Sequence, residues 1–265
     1  MERASAPAGG SEATGTPVAV NVKSCFEALG PKRGLQAVSE AGFRDLVLWA
    51  GESLEFVGAA RRAREIDLRV IGMATPKFVA SSPASEAELG RLYDATLAAE
   101  VPVLALIFGD AEDAWAPSQA LLDALRTTSV EIAIENTADP GTYTSSPTRL
   151  GRLVRSLGSC RIVLDLGHAA VASVGPDEFD PGRVAWTDLH DNDGVVDRHW
   201  PLGSATGVGD SCAALTPDLA GGPLVIETDA AAGGDVGSWV ESLRRDRELA
   251  ADAVRACREL PGVSS

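Results

Sequence analysis

Short apolar, β-branched runs alternate along the chain with longer stretches patterned for helices. Val18 to Val22 (VAVNV), Asp45 to Trp49 (DLVLW), Leu68 to Met73 (LRVIGM) and Val103 to Ile107 (VLALI) read as four strands. Glu131 to Glu135, Arg161 to Asp165, Val184 to His190 and Leu224 to Glu227 read as four more. Helices are expected at Gly34–Gly42, Ser53–Ile66, Ser85–Glu100, Ser118–Arg126, Pro147–Leu157 and Ser238–Glu259, with a weaker one around Phe179–Arg183. Ser85 and Glu88 have capping-box spacing. Gly203 to Gly222 looks irregular. Strands separated by helical segments imply a parallel sheet, and apolar runs without strict alternation suit strands covered on both faces.

An open, doubly wound sheet would carry a nucleotide site. No G-x-G-x-x-G follows the first strand and no G-x-x-x-x-G-K-[ST] occurs. The expectation is an α/β fold, a single (β/α)8 TIM barrel, and the 265 residues are close to the usual length for one. Residues 1–17, small and polar, read as a disordered leader, and residues 18–265 as the catalytic domain.

Charge and cysteine usage narrow the partners. The net charge of −15 opposes the phosphate neutralisation on which nucleic-acid binding depends. No apolar run is long enough to span a bilayer. The four cysteines, Cys25, Cys160, Cys212 and Cys257, are scattered, which points to reduced thiols in a cytoplasmic protein. Cys25 and Cys160 are expected to be buried. A homo-oligomer is compatible with the sequence, which shows no readable seam.

The candidate chemistry collects at strand ends. The three histidines lie between residues 168 and 199. Glu135, Asp165, His190 and Glu227 end four successive expected strands, and strand C-termini of a barrel converge on one face. Carboxylates and an imidazole so gathered suit one divalent metal ion such as Mn, Mg, Co or Zn. Taken singly, each has a plainer reading: Asp165 as a helix N-cap, the histidine as a hydrogen-bonded residue, the glutamates as solvated charges. Their combination favours a shared metal site.

The segments IEN (Glu135), LDLGHA (Asp165, His168), LHDNDGVVDRHWPLG (His190, Asp197, His199) and VIET (Glu227) resemble the xylose-isomerase-like barrel superfamily of sugar isomerases, epimerases and endonuclease-IV-type enzymes. The resemblance implies that Glu135, Asp165, His190 and Glu227 hold the ion and that His168 contacts substrate. In the nuclease branch, His168, Asp197 and His199 would hold a further ion. That branch also draws histidines from earlier strands, whereas no His precedes residue 168 and Met73 and Phe108 or Gly109 stand near those strand ends.

The function so implied is isomerisation or epimerisation of a small sugar or polyol carbonyl compound through an enediolate. Glu135 and Glu227 would be the acid/base pair. His168, Asp197, His199, Lys23, Trp49 and Trp200 would contact substrate. The alternatives are a metal-dependent lyase or dehydratase on a related keto-polyol, a phosphoester hydrolase of the endonuclease-IV type, and a non-catalytic sugar-binding barrel.

Overall fold

The computed structural model describes residues 17–51, 55–79, 83–112, 117, 119–229 and 235–259. The leader, Ser53, the Ser85 side chain of the expected capping box and Ser118 lie outside the described residues. Eight parallel strands close into a barrel in chain order: β1 (Val18–Asn21), β2 (Asp45–Trp49), β3 (Arg69–Phe78), β4 (Val103–Phe108), β5 (Glu131–Glu135), β6 (Arg161–Asp165), β7 (Val184–Leu189) and β8 (Leu224–Ile226). Closure is made by β1 against β8, with Val18, Ala19 and Val20 level with Leu224, Val225 and Ile226. The helices between strands are α1 (Lys23–Glu40), α2 (Glu55–Glu65), α3 (Pro83–Ala98), α4 (Gln119–Thr127), α5 (Pro147–Ser156), α6 (Leu166–Val171) and α7 (Ser211–Ala214). A last helix, α8 (Val236–Arg258), follows β8.

Two-residue alternation sorts every strand into an outer and an inner face. Leu46, Leu48, Leu104, Leu106, Ile132, Ile134, Ile162 and Leu164 are buried outward in the main core. The lower interior of the barrel is built mostly from small side chains: Ala19, Val47, Ala74, Ala105, Ala133, Val163 and Val225, with Trp186 as the one fully enclosed large ring among them. Gly72 makes room for that ring. A Cβ there would stand 2.7 Å from Trp186 Cζ3.

Several boundaries differ from the sequence expectation, each for a local reason. Helix α1 begins at Lys23 rather than Gly34. It is kinked at Gly30, which takes φ 75° ahead of Pro31, because the residue before proline is pushed out of the helical region. Strand β3 runs on to Phe78, so Met73 lies mid-strand rather than at a strand end. Its pairing with β4 shifts register between Ala74 and Lys77, around Pro76, which has no N–H to give. The helix after β6 begins at once, at Leu166. The Phe179–Arg183 region holds two 3-10 turns instead, Pro176–Glu178 and Pro181–Arg183. Among the described residues no helix is long and apolar enough to cross a membrane.

All four cysteines are free, and Cys25 and Cys160 are buried, their thiols pushed up to about 12 by burial.

The Gly72–Trp186 contact gives a test of interior packing. Gly72→Ala is expected to cost about 1–3 kcal/mol, the usual range for overpacking a filled core. Trp186→Leu in the same chain should recover part of that loss. Urea melts of the two single variants and the double variant measure the coupling, and strictly additive losses would refute it.

Candidate metal centre

The inner-face alternation that sets the interior continues upward into polar side chains. Above Ala133 stands Glu135, above Val163 Asp165, above Trp186 Asp188 and then His190, above Val225 Glu227, and above Ala19 Asn21. Each lies two residues beyond an interior side chain on its own strand. The C-terminal mouth of the barrel therefore gathers carboxylates where side chains from different strands converge.

Asp165 is fully buried and does two jobs. Its Oδ1 accepts the His168 backbone N–H at 2.7 Å, capping α6, and also faces His190 Nε2 at 3.0 Å. Asn136 braces it reciprocally: the Asn136 amide donates to the Asp165 carbonyl at 2.9 Å, and the Asp165 N–H donates to Asn136 Oδ1 at 2.8 Å. Both the N-cap reading and the clustered reading of this residue hold. His190 needs Gly167 beneath it, since any Cβ there would collide with the imidazole.

His168 donates through Nδ1 to the Asn136 carbonyl at 2.9 Å, with Glu135 Oε1 at 3.3 Å, and its Nε2 meets Asp197 Oδ2 at 3.1 Å. The same Asp197 oxygen receives His199 Nε2 at 3.2 Å. His199 donates through Nδ1 to the Glu227 carbonyl at 2.9 Å and stacks on His190, with ring centroids 4.1 Å apart and planes 17° from parallel. Its backbone is left-handed at φ 47°, held there as its carbonyl accepts the Asp229 N–H at 2.7 Å. A non-glycine residue in that region costs free energy that the surrounding structure must supply.

The expected ligands thus fall into overlapping groups. Asp165, Asp188 and Glu227 form one; Glu135, Asp165 and His168 form another; His168, His190, Asp197 and His199 form the third. Within each, donor atoms lie within 4.8 Å of one another. Glu135, Asp165, His190 and Glu227 do not meet as one such group, although Asp165 links them. His168, Asp197 and His199 do come together. The remaining expected contacts are more scattered: Lys23 lies with its Nζ 4.8 Å above the Trp49 ring, and Trp200 is exposed.

Asp188 and Asn21 were not singled out from the sequence. Asp188 is buried, level with Asp165 across the β6–β7 pairing. Trp186 Nε1 donates to both of its carboxylate oxygens, at 3.1 and 3.2 Å. Asn21 Nδ2 donates to Glu227 Oε1 at 3.0 Å. The available signal was parity: Asp188 shares a strand face with His190, and Asn21 is the polar residue of VAVNV.

The electrostatics follow from this crowding. Burial, then the charges of Glu227, Asp188 and Asp165, hold the Glu135 carboxyl well above the usual range. Burial, then Glu227 and Asp165, do the same to Asp188. Burial also raises Glu227, against the pull of the histidines. For Asp165 burial is outweighed by His168 and His190, which bring it down to about 2. Burial disfavours a charged His168, but Asp165 and Asp197 lift it to about 9; His199 is lifted to about 10 by Asp197 and Glu227 in the same way.

Buried carboxylates require a compensating cation. No Lys or Arg forms an ion pair with Glu135, Asp165, Asp188 or Glu227 among the described residues. His190 Nδ1 is buried without a hydrogen-bond partner. Carboxylate and imidazole donors in this arrangement fit a divalent ion.

The comparisons agree with the fold and narrow the family. Residues 35–260 match the model for the xylose isomerase-like TIM barrel. The chain belongs to that family. Among curated proteins, none matches the chain. Similar solved structures include a xylose isomerase-like TIM barrel/4-hydroxyphenylpyruvate dioxygenase fusion protein, at TM-score 0.67 and 15% identity. That match covers 94% of this chain and 46% of the fusion, so the chain spans about half of that protein's length. A family 2 AP endonuclease from Brucella melitensis superposes at TM-score 0.61 with 18% identity, covering 81% of this chain and 93% of the nuclease. A xylose isomerase-like TIM barrel protein from Mycobacterium smegmatis, in complex with magnesium, superposes at 0.57 with 14% identity, covering 90% of this chain and 98% of its own. At these identities the likeness is one of fold.

A buried carboxylate on α8 ties the site loops together and titrates in an accessible range. Asp246 accepts the Leu202 N–H at 3.1 Å and the Thr228 hydroxyl at 2.8 Å, and burial pushes its carboxyl up to about 6. The folded protein therefore holds this proton more tightly than the unfolded chain. The group's contribution to stability is present at low pH and is lost as pH rises from about 4 to about 6. Asp246→Asn should remove that loss. The stability difference, variant minus wild type, should grow over that interval and level off above it. Denaturant melts at successive pH values check this, and a pH-independent difference would contradict it.

Proposed function

We propose that this protein is a divalent-metal-dependent isomerase or epimerase acting on a small sugar or polyol carbonyl compound. The observation that carries the reading is the placement of two glutamates, Glu135 and Glu227, at the ends of β5 and β8. Asp165 and Asp188 lie on the two strands between them. Asp165 and Glu227 would hold the ion, with Glu135 and His190 beside it. When bound, such an ion polarises a carbonyl oxygen and lowers the barrier to proton removal from the adjacent carbon.

The chain's own groups supply the rest. One glutamate removes the proton between carbonyl and hydroxyl, giving an enediolate, and the other returns a proton, with roles exchanging by direction. Burial and the neighbouring carboxylates raise the Glu135 carboxyl, which favours its proton-donating form. The Asn21 amide fixes one oxygen of Glu227 and hence the direction of the other. His168, Asp197 and His199 orient substrate hydroxyls above the carboxylates. Lys23 and Trp49, stacked on each other at the β1–β2 edge of the mouth, and Trp200 would wall the substrate.

One observation favours a second reading, phosphoester hydrolysis: His168, His190, Asp197 and His199 could seat another ion. The net charge of −15 weighs against a phosphate-rich substrate.

The test is solvent-proton exchange. Ketoses and inososes incubated with the Mn-loaded protein in deuterium oxide are expected to gain deuterium, read by NMR. Glu227→Gln, with Mn raised until elemental analysis shows full loading, should lower exchange about 10²–10⁴-fold, the usual worth of a general base. Full turnover by that variant would remove Glu227 from its role. Two ions per chain, one lost in His199→Ala, together with phosphoester cleavage and no exchange, would favour hydrolysis.

A further inference from the structure

The barrel mouth is divided in charge. Carboxylates stand at the ends of β5 to β8, while β1 to β3 bring Lys23, Trp49 and Lys77 to the opposite arc. Lys77 reaches the inner face because β3 is irregular there. Ala74 is interior and pairs with Ala105, but Lys77 pairs with Ile107, so three steps along β3 match two along β4. Strict alternation from Ala74 would turn Lys77 outward. The extra residue reverses the parity, and it is Phe78 that packs outward, in the main core beside Phe108. Bulges of this kind re-aim side chains beside active sites. This one leaves the Thr75 hydroxyl buried and without a partner among the described residues, a cost in stability that accompanies the re-aimed lysine. The Lys77 stem runs beside Gly109, its Cδ 3.6 Å from where a Cβ would stand. Ile107 pairs in turn with Glu135, which puts Lys77 in register with the carboxylate row.

The fold neutralises neither lysine. Lys23 Nζ lies 4.8 Å from the centroid of the Trp49 ring, a contact that holds the ammonium without giving it an oxygen acceptor. Among the described residues neither Lys23 nor Lys77 forms an ion pair, whereas Arg198 on the loop after β7 is paired with Asp193 at 3.2 Å. We infer that Lys23 and Lys77 bind a carboxylate of the substrate, which is then an acidic sugar whose carboxylate lies at the end remote from its reacting carbonyl. This rests on the isomerase reading and names its substrate class. A monoanion suits two point charges. A phosphate dianion would bring a second charge toward the carboxylates across the mouth and into a chain of net charge −15.

Calorimetry on the Mn-loaded protein should compare D-glucitol, D-gluconate and the phosphate monoester of glucitol at the same carbon. Gluconate is expected to bind about tenfold tighter than glucitol, as hydrogen bonds to a charged group allow, and added salt should shrink the gain. Lys77→Gln and Lys23→Gln should each lose most of that gain, and Lys77→Arg should keep it. Lys77 is exposed, so its variants should melt like wild type. Equal binding of gluconate and glucitol, binding of neither, or a gain kept in both Gln variants overturns the inference. Tighter binding of the phosphate, lost in the same variants, overturns the choice of carboxylate. Exchange in deuterium oxide of D-fructose and D-fructuronate separates this inference from the reading beneath it. If fructose exchanges and fructuronate does so no better, the inference falls and the isomerase reading stands. If gluconate binds through the lysines and neither keto compound exchanges, the carboxylate subsite stands and the isomerase reading falls.

Discussion

Mutual repulsion among carboxylates at the barrel mouth is the constraint to which the rest of the site responds. Glu135, Asp165, Asp188 and Glu227 sit on adjacent strand ends in a protein interior that solvates charge poorly. Such a group is stable only if protons, imidazolium ions or a metal supply the missing positive charge. Burial and mutual repulsion raise the Glu135 and Asp188 carboxyls, while Asp165 and Asp197 lift His168 and His199 toward the charged form. Every hydrogen bond to Asp197 from an imidazole is part of that compensation. The histidines are therefore concentrated beside the carboxylates for an energetic reason as well as a chemical one.

The barrel beneath makes this crowding possible. Strands whose inner faces carry Ala and Val can approach closely, and one indole fills the space they leave. Because the strand period is two, the choice of Ala133, Val163, Trp186 and Val225 as interior residues also fixes Glu135, Asp165, Asp188 and Glu227 as the residues above them. Packing and chemistry share one register, so a one-residue slip would lose both together.

Much of this was legible in the chain. All eight strands were readable because their apolar runs end in polar residues or turn signals, and Glu135, Asp165, His168, His190 and Glu227 stood out by those positions. Asp188 was hidden inside VAWTDLH, where the strand's apparent end drew attention to His190 instead. Strand parity would have marked Asp188, but that it lies level with Asp165 is set by the β6–β7 register, a tertiary fact. The same is true of Gly72, whose partner Trp186 lies 114 positions later and across the barrel. The Gly30–Pro31 kink hid the first half of α1, since that dipeptide usually ends a helix rather than bending one.

Buried carboxylates in this protein do two kinds of work, and their donors tell them apart. Asp191 accepts the backbone N–H groups of Ser204, Ala205 and Ser211, fixing the loop after β7. Asp246 accepts from Leu202 and Thr228 and pins that loop and the end of β8 to α8. Both accept from donors that belong to the fold, Asp191 from three backbone amides and Asp246 from one amide and one hydroxyl. Glu135, Asp188 and Glu227 instead face one another and have few donors, chiefly the Trp186 indole, the Asn21 amide and a nearby imidazole. A carboxylate held by three backbone amides, as Asp191 is, has its charge compensated by the fold itself. One held beside other carboxylates costs stability, and binding a cation returns it. The site is thus marked by where the fold leaves acceptors uncompensated, and that distinction separates Asp188 from Asp191 although only three positions divide them.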